Sequence, residues 1–370
     1  MASRAIIAAT YALAAVSLWN PGGADPTPPA LLEMLRYALF GSLAGFIVVA
    51  TILQRGIVIS RAPEWLMLAA FLIYTALSAI WSDGGASAAI KGALIFTSML
   101  VAMSLATSLG LSVMLRVFYN AMTVFVFVSL FVVFAFPERG IETGWLLDGD
   151  WRGIAGQKNG LGAVSSMVFV AALALPLVTW SGRPATGWTY MGRLAVIVAA
   201  GVCAVNSGSR GALVIGALGV ALVVAARLPG AFQRVGLVVL VLLAIPVVVL
   251  AGATLGVRVD LIDVLGQTID TNGRMTLWLY GLTQLDGREL LGFGVGGFWT
   301  PERIIAFQDL HGWVLDNFHN GYVTILVEGG IIGLGLLLLA AGFLMLLYVV
   351  AVGSIRDGYV ALALAYTGMF

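Results

Sequence analysis

Gly321-Tyr322-Val323-Thr324-Ile325-Leu326-Val327-Glu328-Gly329-Gly330-Ile331-Ile332-Gly333-Leu334-Gly335-Leu336-Leu337-Leu338-Leu339-Ala340 carries a single charge, Glu328, and stays apolar onward to Val352. About 20 apolar residues in helical conformation cross the hydrocarbon core of a bilayer. This stretch exceeds that length, so it reads as a membrane helix. The Gly329-xxx-Gly333 pair within it reads as a close helix-packing site.

The rest of the chain has the same character. Apolar residues make up 61% and charged residues 10% of the 370, where soluble domains run at roughly half and a quarter. Such a chain cannot clothe a water-facing surface, and lipid must be its main solvent. The net charge of +1 gives no electrostatic case for nucleic acid. The lone cysteine, Cys203, excludes an intramolecular disulfide and a cysteine-cluster metal site.

The hydropathy pattern predicts an all-α integral membrane protein with about 11 spans. They fall at 5–19, 31–53, 64–80, 89–108, 113–136, 159–180, 192–206, 210–226, 235–254, 321–350 and 358–370. The last stops at Phe370, as though a C-terminal piece were missing. The first lacks a clear small-residue exit before Asn20-Pro21 and is read as a retained helix rather than a signal peptide. Arg4, Arg55, Arg61, Arg116, Arg183, Arg193, Arg227, Arg234 and Arg356 all fall on one side of this topology. The positive-inside rule makes that side cytoplasmic, with the N-terminus. Two longer loops, 137–158 and 255–320, then lie on the extracytoplasmic side and hold most of the acids. The 10 tryptophans lie at span ends or in loops, as an interfacial belt requires. Chain 1–370 is thus read as one polytopic membrane domain.

Within the longer loop, Met275, Leu279 and Leu282 have helical spacing, which predicts an amphipathic helix over 273–285 lying near the membrane surface. Gly292-Phe293-Gly294-Val295-Gly296-Gly297 matches a dinucleotide fingerprint on paper. A dinucleotide site needs a βαβ unit, whereas this motif sits in the outer loop of a membrane protein, so it reads as a glycine-rich turn.

Four polar clusters share the outer side: Trp151 to Gly160, Asn206 to Gly211, Asp270 to Arg274, and Asp316 to Tyr322. Taken singly, Arg152 or Arg210 is explained by snorkelling to lipid phosphate. Arg210, however, sits in a turn of small residues, where a guanidinium suits bidentate capture of a phosphate. Arg152 and Lys158 can add charge. Such outward-facing cations beside lipid imply an anionic, lipid-attached substrate. His319 at the mouth of a span is suited to take a hydroxyl proton, or else simply bonds backbone at a helix start. Asp316, Asn317 or Asn320 are candidates to orient it. Glu328 lies about half a turn round the helix from His319, which gives it a structural or supporting role. His311 reads as a surface residue.

His319-Asn320-Gly321-Tyr322 followed by Leu326-Val327-Glu328-Gly329-Gly330-Ile331-Ile332-Gly333-Leu334 resembles the hallmark of the O-antigen ligase and polysaccharide polymerase superfamily. Ser209-Arg210-Gly211-Ala212 resembles that family's Ser-Arg signature. Trp151-Arg152-Gly153 with Lys158-Asn159-Gly160-Leu161-Gly162 is similar to exopolysaccharide polymerases of the succinoglycan type. Together the patterns span roughly 150–335, the expected family core.

The resemblance implies a GT-C-like glycosyltransferase of the bacterial inner membrane. It would use undecaprenyl-diphosphate-linked oligosaccharide at the periplasmic face, with no metal and no cofactor. His319 would be the catalytic base. Arg210 and Arg274 would bind the diphosphate, with Arg152, Lys158, Asn159 and Asn320 as further substrate-binding positions and Ser209 and Glu328 in support. The resemblance favours a polymerase joining repeats en bloc. The alternatives are a ligase that transfers the glycan to lipid A–core, and a transporter or flippase for lipid-linked sugars. A membrane-lipid environment and flippase and co-polymerase partners complete the expectation.

Overall fold

The computed structural model describes residues 2–18, 30–56, 63–143, 149–175, 186–227, 274–312 and 316–351. Among the described residues it is all-helical, with one isolated bridge between Ile141 and Trp151 and no strand. The helices are α1 (Ala2–Leu18), α2 (Ala30–Arg55), α3 (Pro63–Leu77), α4 (Gly85–Leu109), α5 (Leu111–Ala135), α6 (Pro137–Gly140), α7 (Lys158–Ala174), α8 (Gly187–Asn206), α9 (Arg210–Arg227), α10 (Arg274–Thr283), α11 (Pro301–His311) and α12 (Gly321–Ala351). A 3-10 turn, Ser78–Trp81, extends α3.

Among the described residues, five segments are long and apolar enough to cross a membrane: Met34–Arg55, Gly85–Leu109, Ser112–Ala135, Gly187–Asn206 and Gly321–Phe343. Shorter apolar helices occupy Arg4–Ser17, Leu66–Trp81, Lys158–Ala174 and Arg210–Ala225. The expected spans at 235–254 and 358–370, and the Asp270 to Gly273 part of the third polar cluster, lie outside the described residues. Bulky apolar side chains face outward along these helices, as with Phe134 at 71% and Leu194 at 61% exposure. A soluble monomer does not tolerate a surface of that kind, whereas lipid covers it. The protein is a membrane protein.

The chain divides into two compact units. The first comprises Met1–Val58, Val101–Val238 and Leu347–Phe370. Its core joins Phe125 and Val126 of α5, Leu161 and Val168 of α7, and Ala200 and Cys203 of α8. Helices α7 and α9 come together through small residues. Gly162 lies against Ser207, Ser209 and Ala212, Gly216 against Ser166, and the Ser166 hydroxyl donates to the Ala212 carbonyl at 2.8 Å. Without a hydrophobic drive between helices in lipid, such close approach and interhelical hydrogen bonding supply the attraction. Thr51 with Ser108, and Asn120 with Tyr11, add polar pairs at 2.8 and 2.9 Å.

The second unit comprises Ile59–Leu100 and Val239–Leu346. Its central feature is a break in α12 at Gly330, where φ is 63° and ψ is −168°. The hydropathy pattern predicted an uninterrupted span there. A break strands backbone groups that hydrocarbon cannot satisfy, at a cost of several kcal/mol each. Here the glycine-rich turn and the residues before it supply the partners. Phe293 N–H donates to the Val327 carbonyl at 2.9 Å, and Gly294 N–H to the Glu328 carbonyl at 2.7 Å. Ile331 and Ile332 N–H groups donate to the carbonyls of Glu289 and Leu290 at 2.8 and 3.2 Å. The Tyr74 hydroxyl donates to the Gly329 carbonyl at 2.7 Å.

Such close approach requires glycine. Gly292 has φ +66°, and a side chain there would lie 2.6 Å from the Glu328 carbonyl and the Gly330 nitrogen. Gly329 and Gly333 do serve packing, although what they admit is the Tyr74 ring, at 3.6 and 3.2 Å from where their side chains would begin.

Candidate functional site

The two units each contribute candidate residues, and each has its own local architecture. In the first unit, the loop after α5 folds onto the turn between α8 and α9. Trp151 N–H donates to the Asn206 carbonyl at 2.8 Å, and the Asp150 carboxylate lies against Gly208, where φ is +61°. Glu142 binds the loop together. It accepts the Lys158 backbone N–H at 3.1 Å and pairs with the Arg152 guanidinium at 3.5 Å. Arg152 also donates from Nε to the Arg139 carbonyl at 2.9 Å and is only 8% exposed. Lys158 Nζ pairs with Asp150. Arg152 and Lys158 therefore direct their charges into the fold of their own loop.

Arg210 differs from both. It is exposed at the first position of α9, and none of the ion pairs among the described residues includes it. Ser209, 6% exposed, precedes it and accepts the Leu213 N–H at its carbonyl, which makes it the residue that starts the helix. The contacts of Gly162 with Ser209 and of Ser166 with Ala212 and Gly216 run in step along both chains. Helices α7 and α9 are thus parallel, with their N-termini side by side. Half-buried Asn159 is in the first turn of α7, one residue after Lys158. Glu142 and Asp150 already occupy the α7 side, so Arg210, exposed at the N-terminus of α9, is the cation placed to meet a phosphate.

In the second unit, the expected helix over 273–285 is α10. Its buried face carries Leu277, wholly inaccessible, while Leu279 and Leu282 are 50% and 39% exposed. Arg274 is its first residue. Leu277 joins Phe293, Phe298, Phe307, Phe318 and Val327 in one core.

His319 lies between this core and α12. It is exposed, while Phe318 beside it is fully buried. Among the described residues it is the one non-glycine with positive φ, at 48°. A left-handed backbone at a residue other than glycine persists only where its surroundings enforce it, and such residues concentrate at functional sites.

The enforcing contacts are visible. The His319 N–H donates to Asn317 Oδ1 at 3.0 Å, and the Phe318 carbonyl accepts the Trp278 indole N–H at 2.7 Å. Asn320 Oδ1 accepts the N–H groups of Tyr322 and Val323 at 3.0 and 3.2 Å, so its side-chain oxygen caps α12. The Glu328 carboxylate has Gly296 N–H and Lys91 as neighbours, placing it with the glycine-rich turn. His311 is exposed and packs on the Phe307 ring at 4.5 Å between centroids.

Three features here were not read from sequence: Trp278, the pairing of Asp83 with both Arg288 and Arg303 at 3.2 and 3.1 Å, and the stacking of those two arginines on Phe293 at 4.7 and 4.4 Å. The two arginines bracket the glycine-rich turn in sequence, which was a usable signal. Asp83, some 200 residues away in the chain, gave none.

Residues 194–338 match the family described as O-Antigen ligase. That region is O-antigen ligase-like. It contains Arg210, Arg274, His319, Asn320 and Glu328, whereas Arg152, Lys158 and Asn159 precede it. No curated protein matches the chain. The match supports the ligase and polymerase superfamily, and with it enzymatic transfer of a lipid-linked glycan to a glycan acceptor, in a membrane protein.

Proposed function

We propose that the protein is a glycosyltransferase of the bacterial inner membrane that moves undecaprenyl-diphosphate-linked oligosaccharide en bloc at the periplasmic face, polymerising an exopolysaccharide or O-antigen. The observation that carries this reading is the O-antigen ligase match over 194–338, a stretch that includes the exposed Arg210 and the backbone-constrained His319. The acceptor hydroxyl attacks the anomeric carbon of the donor sugar. The bond from that carbon to the diphosphate oxygen breaks, and its electron pair leaves with polyprenyl diphosphate. His319 takes the hydroxyl proton. General-base assistance of this kind contributes about 10²–10⁴-fold in rate.

Arg210 and Arg274 are assigned to the diphosphate, whose negative charge grows as the bond breaks. Diphosphate leaves readily, so no dedicated general acid enters the scheme, and the resemblance to the ligase and polymerase superfamily implies neither metal nor cofactor. Asn159 and Asn320 are assigned to substrate binding, Asn320 through its amide nitrogen because its side-chain oxygen caps α12. Arg152 and Lys158 support the site through the loop they brace.

A second reading is favoured by the description of the matching family, O-Antigen ligase. In it the same donor chemistry delivers the glycan to lipid A–core. Purified protein in liposomes, given undecaprenyl-diphosphate-linked repeats with and without lipid A–core, separates the two. Longer lipid-linked glycans support the polymerase, and glycosylated lipid A–core supports the ligase. Wild-type product formation by His319→Ala would overturn the base assignment in either case.

A further inference from the structure

Helix α10 begins at Arg274, and Trp278, one turn later, reaches across to the segment that presents His319. The indole N–H donates to the Phe318 carbonyl at 2.7 Å, the last backbone group before His319. Packing reinforces this bond. A side chain at Gly281, three residues beyond Trp278, would lie 2.5 Å from the Phe318 ring and 3.3 Å from Val327. The ring itself is wholly buried between α10 and the aromatic residues Phe298 and Trp299, each 5.0 Å away between centroids.

On the other side of His319, Asn317 takes its N–H and Asn320 fixes the first turn of α12. The residue is thus gripped at the peptide before it, at its own nitrogen, and at the helix start after it. Its left-handed backbone is the product of those constraints.

We propose that Trp278 is a positioning residue: by bonding the Phe318 carbonyl it docks α10 onto the His319 segment and fixes the imidazole relative to Arg274, the first residue of the same helix. The inference rests on the reading of His319 as the base and Arg274 as a diphosphate ligand. It also explains why Phe318 and Gly281 are packed so closely. A base displaced by an ångström loses much of its rate advantage even while the substrate still binds.

The test uses the full-length protein in liposomes with undecaprenyl-diphosphate-linked repeats, and a His311→Gln background in which His319 is the remaining histidine. Trp278→Phe keeps the ring and removes the donor. The expected result is a kcat lower by about 10–100-fold with donor KM unchanged, together with a shift of the single imidazole NMR signal. Asn317→Ala, an exposed substitution, should act in the same direction, and Asn317→Asp, which restores the acceptor, should recover kcat. Should Trp278→Phe fail to fold, the Asn317 pair decides.

Wild-type kcat and an unmoved imidazole signal in folded Trp278→Phe would overturn the proposal, as would a change confined to KM. Failure of the underlying reading looks different. There His319→Ala retains full transfer, and the imidazole signal alone then decides whether Trp278 positions His319.

Discussion

The Tyr74 hydroxyl donates to the Gly329 carbonyl at 2.7 Å, one residue before helix α12 breaks. That bond comes from α3, far away in the chain, and it serves a carbonyl that the broken helix can no longer pair. The same ring is what Gly329 and Gly333 make room for.

Tyr74→Phe therefore removes the donor while keeping the packing. The half-buried Gly329 carbonyl then loses its donor, at a cost of up to about 1–3 kcal/mol. Thermal unfolding in detergent should register a lower midpoint for Tyr74→Phe. An unchanged midpoint would mean that water or lipid headgroups already reach this carbonyl.

Gly330→Ala and Gly292→Ala each place a side chain at a left-handed backbone and against a neighbouring strand of chain. The backbone term alone is roughly 1–2 kcal/mol, and the collisions add to it. Both variants should lose folded protein after extraction. Gly335→Ala, with open space around it, should retain wild-type stability or gain a little from better helix propensity. Equal behaviour of all three would refute the stitched-break description.

Arg152 and Glu142 form a pair whose side chains are 10% and 13% exposed. Removing one partner strands a charge, which costs roughly 3–5 kcal/mol at a buried site. Arg152→Ala should therefore destabilise the protein, and Arg152→Met with Glu142→Leu should recover part of the loss. If Arg152→Ala instead leaves stability intact and raises only donor KM, the guanidinium binds substrate directly.

Arg210→Ala should behave in the opposite way, because its side chain is exposed at a helix start. Folding and stability should remain close to wild type, while transfer from the diphosphate-linked donor falls at least tenfold, the equivalent of about 1.4 kcal/mol. Arg210→Lys should restore only part of that, since a lysine offers a point charge in place of a planar fork. Full activity in Arg210→Ala would remove it from the substrate site.

The membrane class, the placing of most helices and the two chemically rich loops were legible because each depends on local hydropathy. A run such as Ser112 to Ala135 is driven to a helix by lipid alone, since its backbone must pair within itself there. Arg210 and His319 were also visible, as polar residues where apolar ones were expected. The α10 helix was found by its spacing, although Leu277 and not Leu279 turned inward.

Tertiary structure alone decided the rest. The sequence marks Arg210 off from Arg152 and Lys158 only by its turn of small residues, whereas folding neutralises the latter two with Glu142 and Asp150 and leaves Arg210 exposed. It shows α12 as unbroken, because the groups that make a break affordable, Tyr74 and the turn at Phe293-Gly294, come from distant parts of the chain. The left-handed backbone at His319 has the same origin. The Asn317 amide oxygen two residues back holds it locally, but the indole donor that completes the grip comes from α10. Hydropathy is additive along a chain and can be read there, whereas ion pairing and backbone strain depend on which distant residues folding brings together.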